Sequence, residues 1–430
     1  MNPEDVFLEN CKADWYYQDT VKMNYGRIGL KFISGLKLSS TMKVLILGID
    51  GYIGWPLALR EIARGNVVAG VDSFFTRKRV KEVNSDSVTP IPSFSERLET
   101  LRKKTGKTIS FYEGDASDPE FIFDVIKKEK PDAIVHLAEQ RSAPYSMLGL
   151  KQATDTMVKN IVSTLNLIYA VKEFVPDAHI LKLGTMGEYG TPNVDIPEGF
   201  FEVEYNGRKD FLPFPKQAGS WYHWTKVHDS NNLMFANRVW KTKITDVMQG
   251  VVYGTRTKEI DETGLFTRFD IDEVWGTALN RFCSQAVIGI PLTPYGKGGQ
   301  TRGFLSLEDS VTCLDLALGN PPEQGEYRVF NQFDEHYSVM QLANMVKEVY
   351  ERDFHQKAEI RSVPNPRVEA EEHYYNPVHV KLAGLGYRRS RELQEEISII
   401  LKDLSSLKDR IENLKGVIYP RTFWKESPLN

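Results

Sequence analysis

Three residues of the sequence could together oxidise an alcohol: Thr185, Tyr222 and Lys226. Tyr222 and Lys226 begin and end the string YHWTK, so a helix would place both on one face. Free tyrosine is a poor base because its pKa is about 10, but a lysine ammonium within ~4–6 Å lowers that pKa. The tyrosine could then take a hydroxyl proton while a hydride leaves, and the Thr185 hydroxyl could donate to the same oxygen. We therefore predict that these three residues are catalytic.

A glycine-rich turn precedes this group in the chain. The string GIDGYIG follows the apolar run VLIL and places Gly48, Gly51 and Gly54 between a predicted strand and a predicted helix. Residues without a Cβ allow a tight bend and a close approach to a pyrophosphate, which the helix N-terminus attracts. The turn therefore predicts a dinucleotide site.

The acidic residue Asp72 ends the next predicted strand, where its carboxylate can accept hydrogen bonds from ribose hydroxyls and repel a 2′-phosphate. This favours NAD over NADP, although Arg77 and two further basic residues follow closely. Other predicted NAD contacts lie at the ends of later strands and on the helix after the fourth strand. The full predicted cofactor set is Gly48, Gly51, Tyr52, Ile53, Gly54, Asp72, Ser73, Arg77, Asp115, Ala116, Leu137, Ala138, Glu139, Asn160, Tyr222, Lys226 and Val252.

The elements that must position these residues alternate along the chain. Short apolar runs and segments of helical length predict an α/β fold, a Rossmann-like doubly wound parallel sheet with a smaller C-terminal lobe. We assign residues 42–253 to the NAD-binding domain and 254–425 to a substrate lobe, some of whose segments return to the first domain. Residues 1–41 are either an extra arm or, as we favour, the result of an upstream start codon. The polar stretch 76–107 is an insertion beside the cofactor edge and receives no role.

The composition argues against several other functions. A net charge of −4 lacks the excess of basic residues that a nucleic-acid binder needs. The three cysteines form no CxxC pair, so we predict neither a disulfide framework nor a metal site. No apolar run approaches the ~18 residues of a membrane span, and the first 41 residues lack the pattern of a secretory signal. We therefore expect a cytoplasmic protein that does not insert into membranes.

A series of longer motifs carries a family resemblance. In chain order from residue 48 to residue 376 they are GIDGYIG, EQRSAPYSM, LGTMGEYGTPN, YHWTKVHDS, QGVVYG, TALNRFC, YGKGGQTRGFL, VFNQF and VPNPRVEAEEHYYN. The series resembles the UDP-sulfoquinovose synthases, extended short-chain dehydrogenases/reductases of the NAD-dependent epimerase/dehydratase type. The most discriminating strings are TMGEYG, EQRSAPYS and PNPRVEAEEHYYN. One departure from many sugar epimerases is Leu47, where those enzymes carry threonine.

The resemblance implies conversion of UDP-glucose and sulfite to UDP-sulfoquinovose with tightly bound NAD. Tyr222 would assist oxidation at C4, water would leave from C5 and C6, sulfite would add at C6, and the hydride would return to C4. In 4,6-dehydratases Asp and Glu directly follow the catalytic threonine, whereas Met186 and Gly187 stand here. We predict Glu188 and His223 as the replacement acid/base pair. The alternative is that Glu188 caps a turn and His223 only packs.

The resemblance also implies how the substrates are held. Arg141 would orient sulfite through a bidentate fork, with Gln140 and Ser142 as further donors. Lys216 and Gln217 are weaker candidates for the sugar. The predicted substrate set is Arg141, Thr185, Gln249, Asn280, Arg281, Thr293, Tyr295, Gln300, Arg302, Arg367 and Glu369.

Two other functions remain open at this point. A UDP-sugar 4-epimerase would use the same triad and cofactor without sulfite, but it gives no reason for the string TMGE or for Arg141. A non-catalytic NAD-sensing protein would not need the intact triad. By analogy with this fold class we also expect a homodimer formed through two helices per subunit.

Overall fold

The computed structural model describes residues 41–370 and 372–425. The predicted N-terminal extension, except for Thr41, lies outside these residues. The strands are β1 (Lys43–Leu47), β2 (Val67–Asp72), β3 (Ser110–Glu113), β4 (Ala133–His136), β5 (His179–Thr185), β6 (Phe200–Tyr205), β7 (Arg208–Pro213), β8 (Lys243–Gln249), β9 (Val251–Tyr253), β10 (Thr301–Ser306), β11 (Tyr327–Gln332) and β12 (Glu335–Ser338). The helices are α1 (Gly54–Ala63), α2 (Phe75–Glu82), α3 (Phe94–Thr105), α4 (Pro119–Glu129), α5 (Ala143–Ser146), α6 (Leu150–Met157), α7 (Ser163–Phe174), α8 (Trp221–Trp240), α9 (Lys258–Thr263), α10 (Ala278–Val287), α11 (Leu307–Gly319), α12 (Val339–Phe354), α13 (Lys381–Gly384), α14 (Leu393–Ser405), α15 (Lys408–Asn413) and α16 (Lys415–Ile418).

Seven parallel strands form the main sheet in the order β3-β2-β1-β4-β5-β8-β11. The order reverses at β1, and crevices at such switch points open beyond the carboxyl ends of the strands. The predicted doubly wound α/β fold is confirmed. Strand β11 comes from the C-terminal half of the chain and completes this sheet.

Side chains of β1 alternate between two apolar layers, as the two-residue period of a strand requires. Val44 and Ile46 pack in a layer with α1 and α11. Leu45 and Leu47 pack in the opposite layer with α4, α7 and the buried side of α8. Helices therefore cover both faces of the sheet, and every residue of the run VLIL is buried.

The C-terminal half adds a smaller three-stranded sheet, β12-β10-β9, and a separate apolar cluster formed by α10, α12 and α14. In the sequence, an antiparallel hairpin of β6 and β7 lies between β5 and α8. The insertion 76–107 contains most of α2 and all of α3. Within the described ranges, no helix is long and apolar enough to cross a bilayer.

Candidate active site

A cavity of about 650 Å³ runs along the carboxyl ends of the main sheet, from the glycine turn after β1 to Arg367 and Trp424. Almost all of the predicted site residues line it, although they come from positions more than 300 residues apart. The predicted residues that do not line it are Asn160, Glu188, Thr293 and the weaker candidate Lys216. The fold thus brings the glycine turn, the triad and the late arginines into one continuous space.

The glycine turn leaves no room for a side chain at Gly48 or at Gly54. Gly48 has a φ of +86°, and a Cβ there would lie 2.6 Å from the Leu137 carbonyl carbon. A Cβ on Gly54 would lie 2.2 Å from the Gly48 carbonyl oxygen. The backbone is therefore packed tightly against α1 and the end of β4, with its cavity side open, which is the form a pyrophosphate cradle requires.

Asp72 lies at the end of β2 as predicted. Its carboxylate accepts hydrogen bonds from the backbone amides of Asp50 (2.9 Å) and Phe74 (2.7 Å). Burial, with a smaller contribution from the Asp50 charge, raises the pKa of Asp72 to about 6. The carboxylate is therefore largely ionised at neutral pH and lines the cavity where ribose hydroxyls would bind.

Arg77 is held by a residue that the sequence analysis did not single out. Its Nε and Nη2 donate to Asp50 at 2.6 and 2.7 Å, and Arg97 of α3 donates to the same carboxylate at 2.6 Å. Arg97 is almost fully buried, with its guanidinium 3.9 Å from the Trp55 ring. Asp50 lies inside the glycine turn, so the insertion that contains Arg97 buttresses that turn.

Tyr222 and Lys226 lie on one face of α8, whose first turn is capped by Ser220. The Lys226 ammonium donates to the Leu183 carbonyl at 2.7 Å and lies 5.8 Å from the Tyr222 ring centroid. It also contacts the carboxylate of Glu139, which is buried at the end of β4. Burial raises the pKa of Tyr222 above its ordinary value, while the Lys182 ammonium opposes that rise. The phenol is therefore protonated in the resting site.

Thr185 ends β5 directly beside Gln249 of β8, and both line the cavity. Its hydroxyl accepts a hydrogen bond from the Gly187 amide at 3.1 Å. This bond begins a short 3-10 turn over Met186–Glu188. The three triad residues thus line one cavity from two elements, β5 and α8, that contact each other.

Glu188 is fully buried behind the cavity wall. Its carboxylate accepts from the Thr185 amide (3.1 Å), the Ser230 hydroxyl (2.9 Å) and the Lys216 ammonium (2.5 Å). The Lys182 ammonium is 3.7 Å away and is equally distant from Asp246. This carboxylate therefore caps the turn Met186–Glu188. Glu188 does not line the cavity, so its predicted acid/base role gains no support from its position.

His223 faces the cavity and lies beside Tyr222, with 4.9 Å between the ring centroids. Its Nδ1 is hydrogen-bonded to the Ser220 hydroxyl at 2.9 Å. Burial, and then the charges of Arg367 and Arg302, lower the pKa of His223 to about 3. The imidazole is therefore neutral at physiological pH.

Arg141 extends from the loop after β4 into the cavity. It donates to the Trp275 carbonyl at 3.0 Å and pairs with Asp270. Asp270 also accepts two hydrogen bonds of 2.8 Å from Arg268. Two guanidinium groups thus share one carboxylate, and Asp272 lies close enough to act on both.

The far end of the cavity gathers the arginines predicted for the nucleotide. Arg302 pairs with Glu369 at 2.5 Å, and Arg281 lies 4.7 Å from the Tyr295 ring centroid. The Arg367 guanidinium lies 5.6 Å from the Trp424 ring centroid. Several buried polar atoms here have no hydrogen-bond partner within the described chain: Asn280 Oδ1, Arg281 Nε, Gln300 Oε1 and Arg367 Nε. Such atoms are suited to a polar ligand, because leaving them unpaired costs free energy.

Comparisons with known proteins agree with this geometry. The model of the NAD dependent epimerase/dehydratase family matches residues 44–331. A UDP-sulfoquinovose synthase of Sulfolobus acidocaldarius is 54% identical over 90% of this chain and 98% of its own length. The chain belongs to the UDP-sulfoquinovose synthase family. A chloroplastic member from Spinacia oleracea is 48% identical over 90% of this chain and 80% of its own length.

The fold is shared with more distant members of the larger family. The UDP-glucose 4-epimerase of Thermotoga maritima, solved with UDP-glucose, has a TM-score of 0.63 at 20% identity, over 85% of this chain and 99% of its own. The predicted family and the dependence on NAD are therefore confirmed. The glycine turn and Asp72 fit that cofactor.

In this UDP-sulfoquinovose synthase family member, two of the predicted site residues are buried next to the cavity and do not line it. Asn160 bonds both the amide and the carbonyl of Gln140, at 2.8 and 3.0 Å, and so fixes the loop that carries Arg141. Thr293 accepts a 2.7 Å hydrogen bond from Gln285 and is buried. Their assignments as direct ligand contacts stay predictions.

Sequence reasoning missed several cavity residues. Asp50 stands inside the glycine motif, and that position was the usable signal. Arg268 and Trp275 lie in a stretch without regular periodicity, and Trp424 lies beyond the motifs. Nothing in the sequence alone indicated that these residues return to the cavity.

Proposed function

We propose that this protein converts UDP-glucose and sulfite to UDP-sulfoquinovose. The observation that carries the proposal is an intact Thr185–Tyr222–Lys226 triad beside a glycine, Gly187, that leaves room for His223. A Cβ on Gly187 would lie 2.4 Å from His223 Nε2. The relatives at 54% and 48% identity are UDP-sulfoquinovose synthases, which supports this function over a 4-epimerase.

The first step is oxidation at C4 of glucose. Tyr222 takes the C4 hydroxyl proton, and the Thr185 hydroxyl donates to the same oxygen. The glycine turn, Asp72 and Lys226 would hold NAD, which when bound would supply reversible hydride transfer at C4. Because burial raises the pKa of Tyr222, positive charge must stabilise the phenolate. Lys182 opposes the rise, and the Lys226 ammonium lies 5.8 Å from the ring. The resulting ketone acidifies the neighbouring C5 proton.

The second step removes water from C5 and C6. His223 takes the C5 proton and passes it to the departing C6 hydroxyl, which leaves as water. The neutral imidazole takes the C5 proton, and the imidazolium so formed gives it to the leaving hydroxyl. Nδ1 donating to Ser220 would leave Nε2 as the acceptor. Glu188 acts as a positioning residue that holds the turn between Thr185 and Gly187.

The third step forms the carbon–sulfur bond. Sulfite adds at C6 of the unsaturated ketone, C5 takes a proton, and C4 regains its hydride, so the cycle is redox-neutral. Arg141 would orient the anion, because its guanidinium lines the cavity beside Arg268. At the far end, Arg281, Arg302 and Arg367 would bind the diphosphate, and Glu369 the uridine ribose.

Assembly and location complete the proposal. The outer surfaces of α7 and α8 expose large apolar side chains: Leu165, Tyr169, Phe235 and Val239. We infer that two copies pair through these helices to form a homodimer. We place the protein in the cytoplasm, and residues 254–425 supply most of the substrate lobe.

The test is purified protein incubated with UDP-glucose, with and without sulfite, followed by mass spectrometry of the products. A sulfonated UDP-sugar that forms only with sulfite supports the proposal. Formation of UDP-galactose at the same rate with and without sulfite would instead indicate a 4-epimerase.

A further inference from the structure

The segment of residues 254–276, here called the strap, connects β9 to α10 along the edge of the glycine turn. The proposed reaction mechanism gives no catalytic role to the strap or to the insertion 76–107. Most of the strap is irregular, with one short helix, α9. It is nevertheless largely buried, and its residues make specific hydrogen bonds on two sides of the cofactor end of the cavity.

On one side the strap is tied to the glycine turn itself. The Tyr52 hydroxyl donates to the Gly254 carbonyl at 2.6 Å, and the Thr267 hydroxyl donates to the Tyr52 carbonyl at 3.0 Å. The indole of Trp55, at the start of α1, donates to the Leu265 carbonyl at 2.9 Å. Each bond joins the strap to a residue in or directly after GIDGYIG.

The insertion reinforces the same side. Arg97 of α3 donates both to Asp50 of the glycine turn and, at 3.3 Å, to the Phe266 carbonyl of the strap. Lys104, near the end of α3, donates to the Thr263 carbonyl. Helix α3 therefore bridges the turn and the strap, which gives the insertion 76–107 a structural purpose.

On the other side the strap is tied to the loop after β4. Asp270 pairs with Arg141, and Arg141 also donates to the Trp275 carbonyl at 3.0 Å. The Ser142 hydroxyl donates to the Val274 carbonyl. Strand β4 pairs with β1 in the sheet. The strap therefore extends from the glycine turn after β1 to the loop after β4.

We propose that the strap is a lock that retains NAD, with Thr267 anchoring it to the glycine turn and Asp270 latching it to the loop after β4. Arg268, which enters the cavity from the strap, adds positive charge beside the turn that would bind the pyrophosphate. Dissociation of NAD then requires the contacts on one side to break. A redox-neutral cycle benefits directly, because a cofactor that leaves as NADH would strand an oxidised sugar.

This inference rests on the proposed function only through the presence of bound NAD, so its test uses no sugar nucleotide and no sulfite. Full-length protein is loaded with NAD and diluted into an NAD-hydrolysing enzyme, and the NAD that remains bound is measured over time. Thr267→Val removes one hydroxyl with little change of shape, and Asp270→Asn removes the charge of the latch. Thr108→Val, at an exposed position outside the strap, is the matched control.

We expect NAD to leave about tenfold faster from Thr267→Val and at least tenfold faster from Asp270→Asn, while the control releases it at the parent rate. Hydrogen exchange should rise across residues 254–276 in both variants. Release at the parent rate from both folded variants would overturn the proposal. Faster release with unchanged exchange across the strap would overturn it as well, because the strap would not have been loosened. If sulfite failed to react, the proposed function would be wrong, but the measured rates of NAD release would still test the strap.

Discussion

The His223 imidazole packs against the backbone of Gly187, so closely that a Cβ on Gly187 would lie 2.4 Å from Nε2 and 2.5 Å from Cδ2. A residue with a side chain cannot stand at position 187 while His223 keeps its place. The two positions are 36 residues apart and lie on different elements, the turn after β5 and the first turn of α8. The glycine at 187 and the histidine at 223 are therefore structurally coupled.

Substitution Gly187→Ala should move His223 and slow the elimination step. We expect kcat to fall at least a hundredfold, the range usual for a displaced acid/base group. Oxidation at C4, followed as absorbance of the reduced cofactor in a single turnover, should change less than threefold. Gly384→Ala is the control, because a Cβ there meets nothing within 4 Å. Equal loss of both steps would argue that Gly187 serves the triad rather than His223.

Lys182 is the buried cation on which the catalytic turn depends. Burial alone would lower its pKa, but Asp246 and Glu188 together raise it, so the ammonium stays charged. Lys182→Met would remove the cation that pairs with Asp246 and leave Glu188 with Lys216 alone. We expect a loss of about 3–5 kcal/mol in the free energy of unfolding, measured by urea denaturation. Lys182→Arg keeps the charge and should lose less; an equal loss in both variants would indicate a packing defect.

The affinity for NAD should depend on pH through Asp72. Its pKa is raised to about 6 in the free protein, and ribose hydroxyls favour the ionised form. As the pH falls through 6 the carboxylate becomes protonated, so the dissociation constant of NAD should rise by up to about tenfold per pH unit. Calorimetric titration of apoprotein at pH 5 and pH 7.5 measures this effect. In Asp72→Asn the affinity should be lower at both pH values, and a pH dependence that persists there would assign it to another group.

The proposed homodimer depends on apolar side chains of α7 and α8. Phe235 is 54% exposed on α8, and a charge at that position would be buried without a partner in the dimer. Phe235→Asp should therefore give a monomer in light scattering coupled to gel filtration. Tyr205→Asp, on the exposed β6–β7 hairpin, should leave the dimer intact. A parent protein that is monomeric at micromolar concentration would contradict the proposal.

Much of the site was predictable because short motifs report local geometry. GIDGYIG specifies a strand–turn–helix unit through its glycines, and YHWTK specifies a pair on one helix face. The environment of Glu188 was not predictable in this way. Its burial results from Lys182, Lys216 and Ser230, which reach it from three separate elements. The strap escaped prediction for the same reason, since its hydrogen bonds join residues about 200 positions apart and carry no local period.

In the proposed mechanism the carbon–sulfur bond forms by elimination of water and addition of sulfite. The most direct measurement is the reaction of UDP-glucose with sulfite in D₂O, with the product examined by mass spectrometry and NMR. We predict a sulfonated UDP-sugar with one deuterium at C5 and hydrogen retained at C4, because C5 is reprotonated from solvent and C4 regains its own hydride. A sulfonated product without deuterium at C5 would contradict the account, since sulfite would then have displaced the C6 hydroxyl without an unsaturated intermediate.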